Sequence, residues 1–309
     1  MGVGVACLPR SGTYALVGRS GEAARRVGVG GSARAGFPGA PRADTVGGVL
    51  VLGVCSLKGG VGKTSVTLGL ASAALERGVR TLVVDLDPQG DSTMSLAAER
   101  DAGDVSTVLD DPGAHTVKAA TVPAGWADDG IDVIVGSERT VLHDRLDDGD
   151  IGRLRAALSH VDDYGLVLVD CPPSLGGLTR TGLAACDRAL VVTEPGLFSV
   201  MAVGRALRTV DELRRGPAPA LQPLGIVVNR VRHRSVEQAY RLEELQRLYG
   251  PLLLNPPVPE RAALQQAQGA ARPIHSWPGP AAVELAGAFD ALLDRALRAP
   301  RPPTTRVSG

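Results

Sequence analysis

The 309 residues, 44% of them hydrophobic, suffice for one sizeable α/β core with tails to spare. Balanced charge, with 33 basic side chains against 33 acidic ones, excludes a polycation that would hold nucleic acid along its whole surface, so any DNA contact must be local. No apolar stretch approaches the ~20 residues that span a bilayer, and the N-terminus lacks the apolar core of a secretion signal. Cys7, Cys55, Cys171 and Cys186 are too scattered to suggest a zinc site or a redox pair. A soluble cytoplasmic protein with reduced thiols is expected.

Residues 1–48 are rich in Gly, Ala and Arg without a sustained period. They read as a disordered extension, either a basic arm or the product of a wrongly assigned upstream start codon. From Val49 onward short apolar runs alternate with helix-length segments. Residues 49–55, 81–85, 131–135, 166–170, 189–193 and 224–228 read as strands buried on both faces, with 251–254 a weaker seventh. Helices are expected over 63–77, 152–161, 178–185, 199–214, 235–249, 260–268 and 281–298. This alternation predicts an α/β domain over 49–298, built on a mostly parallel twisted sheet of about seven strands with helices on both faces. Ligands should lie at the carboxyl ends of the strands. The proline-containing tail, 299–309, should be flexible.

The first strand runs into Ser56-Leu57-Lys58-Gly59-Gly60-Val61-Gly62-Lys63-Thr64-Ser65 and then an apolar helix. Gly59, Gly60 and Gly62 let backbone N–H groups turn inward on phosphate oxygens, and the helix starting near Lys63 aims its positive dipole end at the same place. Lys63 is expected on the β and γ phosphates, and the Thr64 hydroxyl on Mg²⁺. The whole run from Lys58 through Val61 to Ser65 is therefore assigned to nucleotide binding, and the fold to the P-loop NTPases. Only three lysines occur against thirty arginines, and two of them are Lys58 and Lys63. A compact ammonium fits between phosphates where a guanidinium fork does not.

Two carboxylates, Asp85 and Asp87, end the second strand in Val84-Asp85-Leu86-Asp87-Pro88-Gln89-Gly90. At the end of 166–170 four apolar residues lead to Asp170, the pattern of a Walker B acid that holds a Mg²⁺-bound water. Cys171 beside it reads as a small packed residue.

A second lysine at the start of the loop, Lys58, and the Asp-Cys-Pro-Pro-Ser run from Asp170 resemble the deviant Walker A ATPases of the ParA/MinD family. The similarity covers about residues 50–298 and is closer to the ParA partition branch than to MinD or the nitrogenase iron proteins. It implies that Lys58 crosses a dimer interface to the partner's nucleotide, making ATP the glue of a sandwich dimer. It also implies that Asp85 supports the metal shell and that Asp87 positions the attacking water. The implied catalytic set is Lys58, Lys63 and Asp87; the metal set is Thr64, Asp85 and Asp170; the cofactors are ATP and Mg²⁺. Asn229, after a strand, and Val258, Pro259 and Glu260, before a helix, would flank adenine, although a plain strand end and a Pro-rich turn have the same sequence. Slow turnover, a ParB-like DNA-binding activator and a nucleoid location in the cytoplasm complete the expectation.

Leu57, Gln266 and Asp211 depart from the family pattern at positions usually polar, acidic and basic. Arg205, Arg208, Arg214 and Arg215 on one predicted helix, and Arg230, Arg232, His233 and Arg234 in a following loop, are candidates for nonspecific, salt-sensitive DNA binding. The alternatives are a MinD-like positioning ATPase on a membrane or protein platform, an iron–sulfur carrier, and an interaction protein with a structural nucleotide. The proline-broken tail supplies no basic amphipathic helix for a membrane, and none of the cysteines has a close partner in sequence.

Overall fold

Strand-forming apolar runs set the frame. β1 (Leu50–Cys55), β2 (Thr81–Asp85), β4 (Ile131–Ile134), β5 (Leu166–Asp170), β6 (Arg188–Thr193) and β7 (Gln222–Val228) occupy the expected stretches. With β3 (Thr121–Pro123) they form a seven-stranded sheet in the order β3-β4-β2-β5-β1-β6-β7. Every pairing is parallel except β3 with β4. The computed structural model describes residues 48–99, 103–126, 130–144, 151–232 and 234–300. All of these belong to the compact unit Pro41–Gly309. The expectations for residues 1–47, His233 and 301–309 lie outside the described residues.

Two differences from the predicted strands have simple causes. Residues 251–254 are not a strand: a 3-10 turn, Gly250–Leu252, is followed by a single bridge from Leu253 to Ile226. The seventh strand is instead the antiparallel edge strand β3, only three residues long and ending in Pro123. A run that short carries no period, and proline is tolerated there because an edge strand needs no second row of hydrogen bonds.

The sheet carries α1 (Lys63–Glu76), α2 (Asp91–Ser95), α3 (Val105–Asp110), α4 (Ala114–Ala120), α5 (Arg153–Leu158), α6 (Gly177–Ala184), α7 (Ser199–Arg215), α8 (Val236–Tyr249), α9 (Ala262–Gly269) and α10 (Pro280–Arg298). α2, α3 and α4, none longer than seven residues, are additional to the helices expected from the sequence. Alternation along the strands divides the core in two. In β5, Leu166 and Leu168 face the cluster that contains α1 and α10, while Val167 and Val169 face the cluster that contains α3, α6 and α7.

Packing of α1 fixes the helix that carries the phosphate loop. Gly69 sits in its interior because the fully buried ring of Phe289 on α10 comes within 2.3 Å of where a Cβ would stand. Arg77 at the other end of α1 pairs with Asp290 at 3.1 Å and with Asp294. β5 lies between β2 and β1, with Asp170 level with Asp85 on one side and with Val54 on the other. The register therefore delivers both acids and the loop after Cys55 to one end of the sheet.

Candidate nucleotide site

The loop owes its shape to glycine. Gly60 and Gly62 have φ of 77° and 85°, the left-handed region that side chains with a Cβ avoid. At Gly62 a Cβ would also lie 2.3 Å from Nδ2 of Asn229. That amide donates to the Val61 carbonyl at 2.8 Å, and the Ser56 hydroxyl donates to the Lys58 carbonyl at 2.8 Å. The α1 helix starts directly from this turn, with Val66 N–H donating to the Gly62 carbonyl.

Gly59, Gly60, Gly62, Lys63, Thr64, Ser65 and Asp87 line one cleft of about 410 Å³. Lys63 is buried, so an ammonium waits with little water around it at a helix N-terminus, an arrangement suited to a polyphosphate. Gln89, Asp91, Met94, Pro173, Arg230 and Gln268 join the same wall. None of these six was singled out from the sequence as a nucleotide contact. Gln89 follows directly after the acids, and Pro173 belongs to the quoted Pro-Pro pair, so both were within reach of a sequence reading. Gln268 carries no signal, because it lies 203 residues along the chain from Ser65, its partner in the fold.

The three acids occupy different places. Asp87 faces the cleft, and its Oδ1 accepts from Gln89 N–H at 3.1 Å. Asp170 is fully buried behind Thr64; its Oδ2 accepts from Thr64 Oγ1 at 2.8 Å and from Ser92 Oγ at 2.7 Å. Asp85 is also fully buried and is not part of the cleft wall. One of its oxygens accepts from Thr93 N–H at 2.9 Å and Thr93 Oγ1 at 2.7 Å, the other from Asp87 N–H at 3.2 Å. Asp85 thus braces the turn that carries Asp87 in this conformation.

Desolvation, followed by the neighbouring Asp170, pushes the Asp85 carboxyl up to about 7. Desolvation likewise raises Asp170, against the hydrogen bonds from Ser92 and Thr64. A cation beside this pair would favour the ionised forms. The donor set fits Mg²⁺. Thr64 sends its proton to Asp170, which leaves its oxygen lone pairs free for a hard cation, with the carboxylates able to act through water.

A second cleft of about 270 Å³ lies against the first, lined by Ser65, Asn229, Arg230, Pro259, Glu260 and Leu264 among others. Ser65 and Arg230 belong to both. Asn229, Pro259 and Glu260 are therefore placed at one end of a continuous trough. Val258 is buried beneath it, with its N–H spent on the Val228 carbonyl and its own carbonyl accepting from Val231. Its N–H is thus unavailable to a ligand, and Val258 does not line the cleft.

Lys58 does not line the phosphate cleft. Its side chain is 58% exposed, pairs with Glu194, and borders a small apolar hollow with Leu57, Val61, Leu197 and Phe198. The apolar Leu57 fits that hollow. Of the arginines considered for DNA, Arg205, Arg208, Arg214 and Arg234 are exposed. Arg215 pairs with Asp211 at 2.7 Å and Arg232 with Glu260, while Arg230 lines the nucleotide trough. Cys55, Cys171 and Cys186 are buried, and burial pushes their thiols up, that of Cys55 to about 12. Among the described residues no helix is long and apolar enough to cross a membrane.

Residues 49–222 match a family described as AAA domain. An uncharacterized protein of Mycobacterium tuberculosis is 30% identical over 80% of this chain and 78% of its own length. The chromosome-partitioning ATPase Soj of Thermus thermophilus is 29% identical over 70% of this chain and 83% of its own. Among solved structures, cobyrinic acid a,c-diamide synthase from Mycobacterium smegmatis with bound ADP and magnesium superposes with a TM-score of 0.67 and 29% identity, covering 82% of this chain and 98% of the other. The cell division ATPase MinD of Pyrococcus furiosus superposes with a TM-score of 0.62 over 80% of this chain and 97% of its own; at 24% identity it is a likeness of fold.

Proposed function

We propose, from the premise that the chain belongs to the ParA/MinD-type P-loop ATPases, that it is a partition or positioning ATPase in which Mg·ATP closes a dimer and hydrolysis reopens it. The observation that carries this reading is the division of labour between the two loop lysines. Lys63 is buried in the phosphate cleft, whereas Lys58 lies outside its wall, exposed and paired with Glu194. A lysine so placed, once released from Glu194, can serve a nucleotide held by a second copy of the chain.

In this reading the loop N–H groups and Lys63 hold the β and γ phosphates and spread the charge that develops on the transferring phosphoryl group. Thr64, backed by Asp170, would hold Mg²⁺, which would supply charge neutralisation at the phosphates. Asp87 orients the attacking water and takes its proton late in the reaction; Asp85 holds the turn that aims it. The products are ADP and inorganic phosphate. Asn229, Pro259 and Glu260 border the base, and the dimer brings two sets of Arg205, Arg208 and Arg214 to nonspecific DNA. A ParB-like activator and a nucleoid location follow from the family.

A second reading, a positioning ATPase on a protein platform without DNA, draws on two observations. Arg215 and Arg232 are already engaged by acids, and Leu197 and Phe198, which border the same hollow as Lys58, stand more than half exposed. Light scattering after size exclusion, with Mg·ATP, with ADP and with neither, followed by nonspecific DNA at two salt concentrations, separates the readings. ATP-only dimers that bind DNA and release it in higher salt are expected. Dimers indifferent to DNA favour the platform, and no ATP-dependent dimer overturns the switch.

A further inference from the structure

We infer that Arg230 is a nucleotide contact, its guanidinium taking the α-phosphate of a nucleotide that bridges the phosphate cleft and the base cleft. The inference rests on the nucleotide-binding part of the reading above and adds a residue that the phosphate motifs do not contain. Among the described residues, Ser65 and Arg230 alone line both clefts. Arg230 is partly exposed to solvent, so a ligand in the trough can reach it. Its backbone is unusual for an arginine, with φ of 58°, a left-handed conformation that side chains with a Cβ seldom adopt and that gathers at binding sites. The neighbours hold it there: Asn229 N–H donates to the Thr193 carbonyl at 2.8 Å and Val231 N–H to the Val258 carbonyl at 3.1 Å.

The surrounding charges single out this guanidinium. The two clefts are lined by three basic residues among those described, Lys63, Arg230 and Arg261. Arg261 is spent: Glu284 accepts from it at 2.7 and 2.9 Å, and the Glu260 carbonyl at 2.9 Å. Lys63 serves the β and γ end of a polyphosphate. Arg230 has no side-chain hydrogen bond or ion pair among the described residues, although Glu260 lies in the same cleft wall, because Arg232 occupies that carboxylate. Glu260 still registers its charge: its carboxyl is held below the ordinary value first by the Arg232 hydrogen bond and last by the field of Arg230. A nucleotide with its terminal phosphates in one cleft and its base in the other passes between them at the α-phosphate and the ribose. Of these two, the anion is the partner that a free guanidinium binds more strongly.

The test compares Arg230→Gln and Arg230→Lys with the unaltered chain by calorimetric titration of ATP, ADP and 2′-deoxy-ADP, all with Mg²⁺ and at two salt concentrations. Arg230→Gln should weaken ATP and ADP alike by about tenfold, the worth of one charge-assisted hydrogen bond. Arg230→Lys keeps the charge without the planar fork and should recover part of that loss. Higher salt should narrow the gap between the unaltered chain and Arg230→Gln, because a charge contact is screened and a packing defect is not. The deoxy nucleotide should show the same loss as ADP; a loss that vanishes with it would put the guanidinium on the ribose and overturn the assignment. Equal affinities in the unaltered chain and Arg230→Gln, or a loss confined to ATP, overturns it too. Since the guanidinium is unpaired without nucleotide, both variants should melt with the unaltered chain in its absence, and early melting would contradict that premise. An unaltered chain that binds no nucleotide overturns the ATPase reading itself, a different and recognisable outcome.

Discussion

Asn229, at the end of β7, donates from Nδ2 to the carbonyl of Val61 at 2.8 Å, and the bond is buried. A residue directly after the seventh strand thereby holds the turn that follows β1. The same amide fills the space that a Cβ on Gly62 would need. The phosphate loop is thus a tertiary object, closed by a clamp from the far half of the chain.

Removing the clamp should weaken nucleotide binding without unfolding the domain. Asn229→Ala leaves the Val61 carbonyl short of a donor, a loss of about 1–3 kcal/mol if nothing replaces it. Nucleotide affinity should fall about tenfold. Gly62→Ala should be worse, because it combines a left-handed φ with a collision against Asn229. Isothermal titration with ADP measures both, and affinity unchanged in Asn229→Ala would show that the clamp is dispensable.

Binding and hydrolysis should separate by residue. Lys63→Ala takes the buried ammonium from the cleft and should abolish ATP binding. Asp87→Ala retains the phosphate grip and removes the carboxylate that faces the cleft, so it should bind ATP, persist as a dimer and release phosphate at least a hundredfold more slowly. Phosphate release and light scattering on the two variants test this. An Asp87→Ala protein that stays monomeric in saturating ATP contradicts the assignment.

Glu194 holds Lys58 within its own chain. An exposed ion pair contributes at most about 1 kcal/mol, so Glu194→Gln should scarcely change stability. It should nevertheless release Lys58 and lower the ATP concentration needed for dimers by a few-fold, whereas Lys58→Ala should prevent them. Sedimentation velocity across an ATP series reads this directly, and a Glu194→Gln midpoint equal to that of the unaltered chain argues against restraint by the pair.

His275 should make the fold acid-sensitive. Its Nδ1 lies 2.7 Å from Ser72 Oγ on α1, and burial lowers its pKa, against the opposing pull of Asp290 and Glu76, with Arg77 adding to the lowering. A folded pKa below the unfolded one gives stability that is present above the ordinary histidine value of about 6.5 and lost as pH falls through the folded pKa. Asp85 and Asp170, raised by burial, contribute in the opposite sense as pH rises. The difference between the unaltered chain and His275→Gln isolates the histidine. Melting temperatures should converge as pH falls below about 6.5, and parallel curves would exclude the effect.

Much of the site was legible because it is local. Backbone chemistry confined to ten consecutive residues makes the loop, and uninterrupted apolar runs mark six of the strands, so Lys63, Thr64, Asp87 and Asp170 could be read in order. Residues whose meaning depends on what lies opposite were not legible. β3 is too short to show a period, the hold of Thr93 and the Asp87 N–H on the Asp85 oxygens needs the turn to close, and the burial of Val258 depends on its pairing with Val228 and Val231. Arg230 read as a DNA-facing charge until the chain turned it into the nucleotide trough.

The amino-acid sequence by itself therefore determined that this chain makes a parallel sheet with a phosphate loop after its first strand, because glycine freedom, helix starts and apolar periodicity act over a few residues. The tertiary structure decided which distant groups complete the site: Asn229 closing the loop, Gln268 against Ser65, Glu194 on Lys58. Those pairings join residues more than a hundred positions apart, and only the packing of the helices against the sheet brings them within hydrogen-bonding distance.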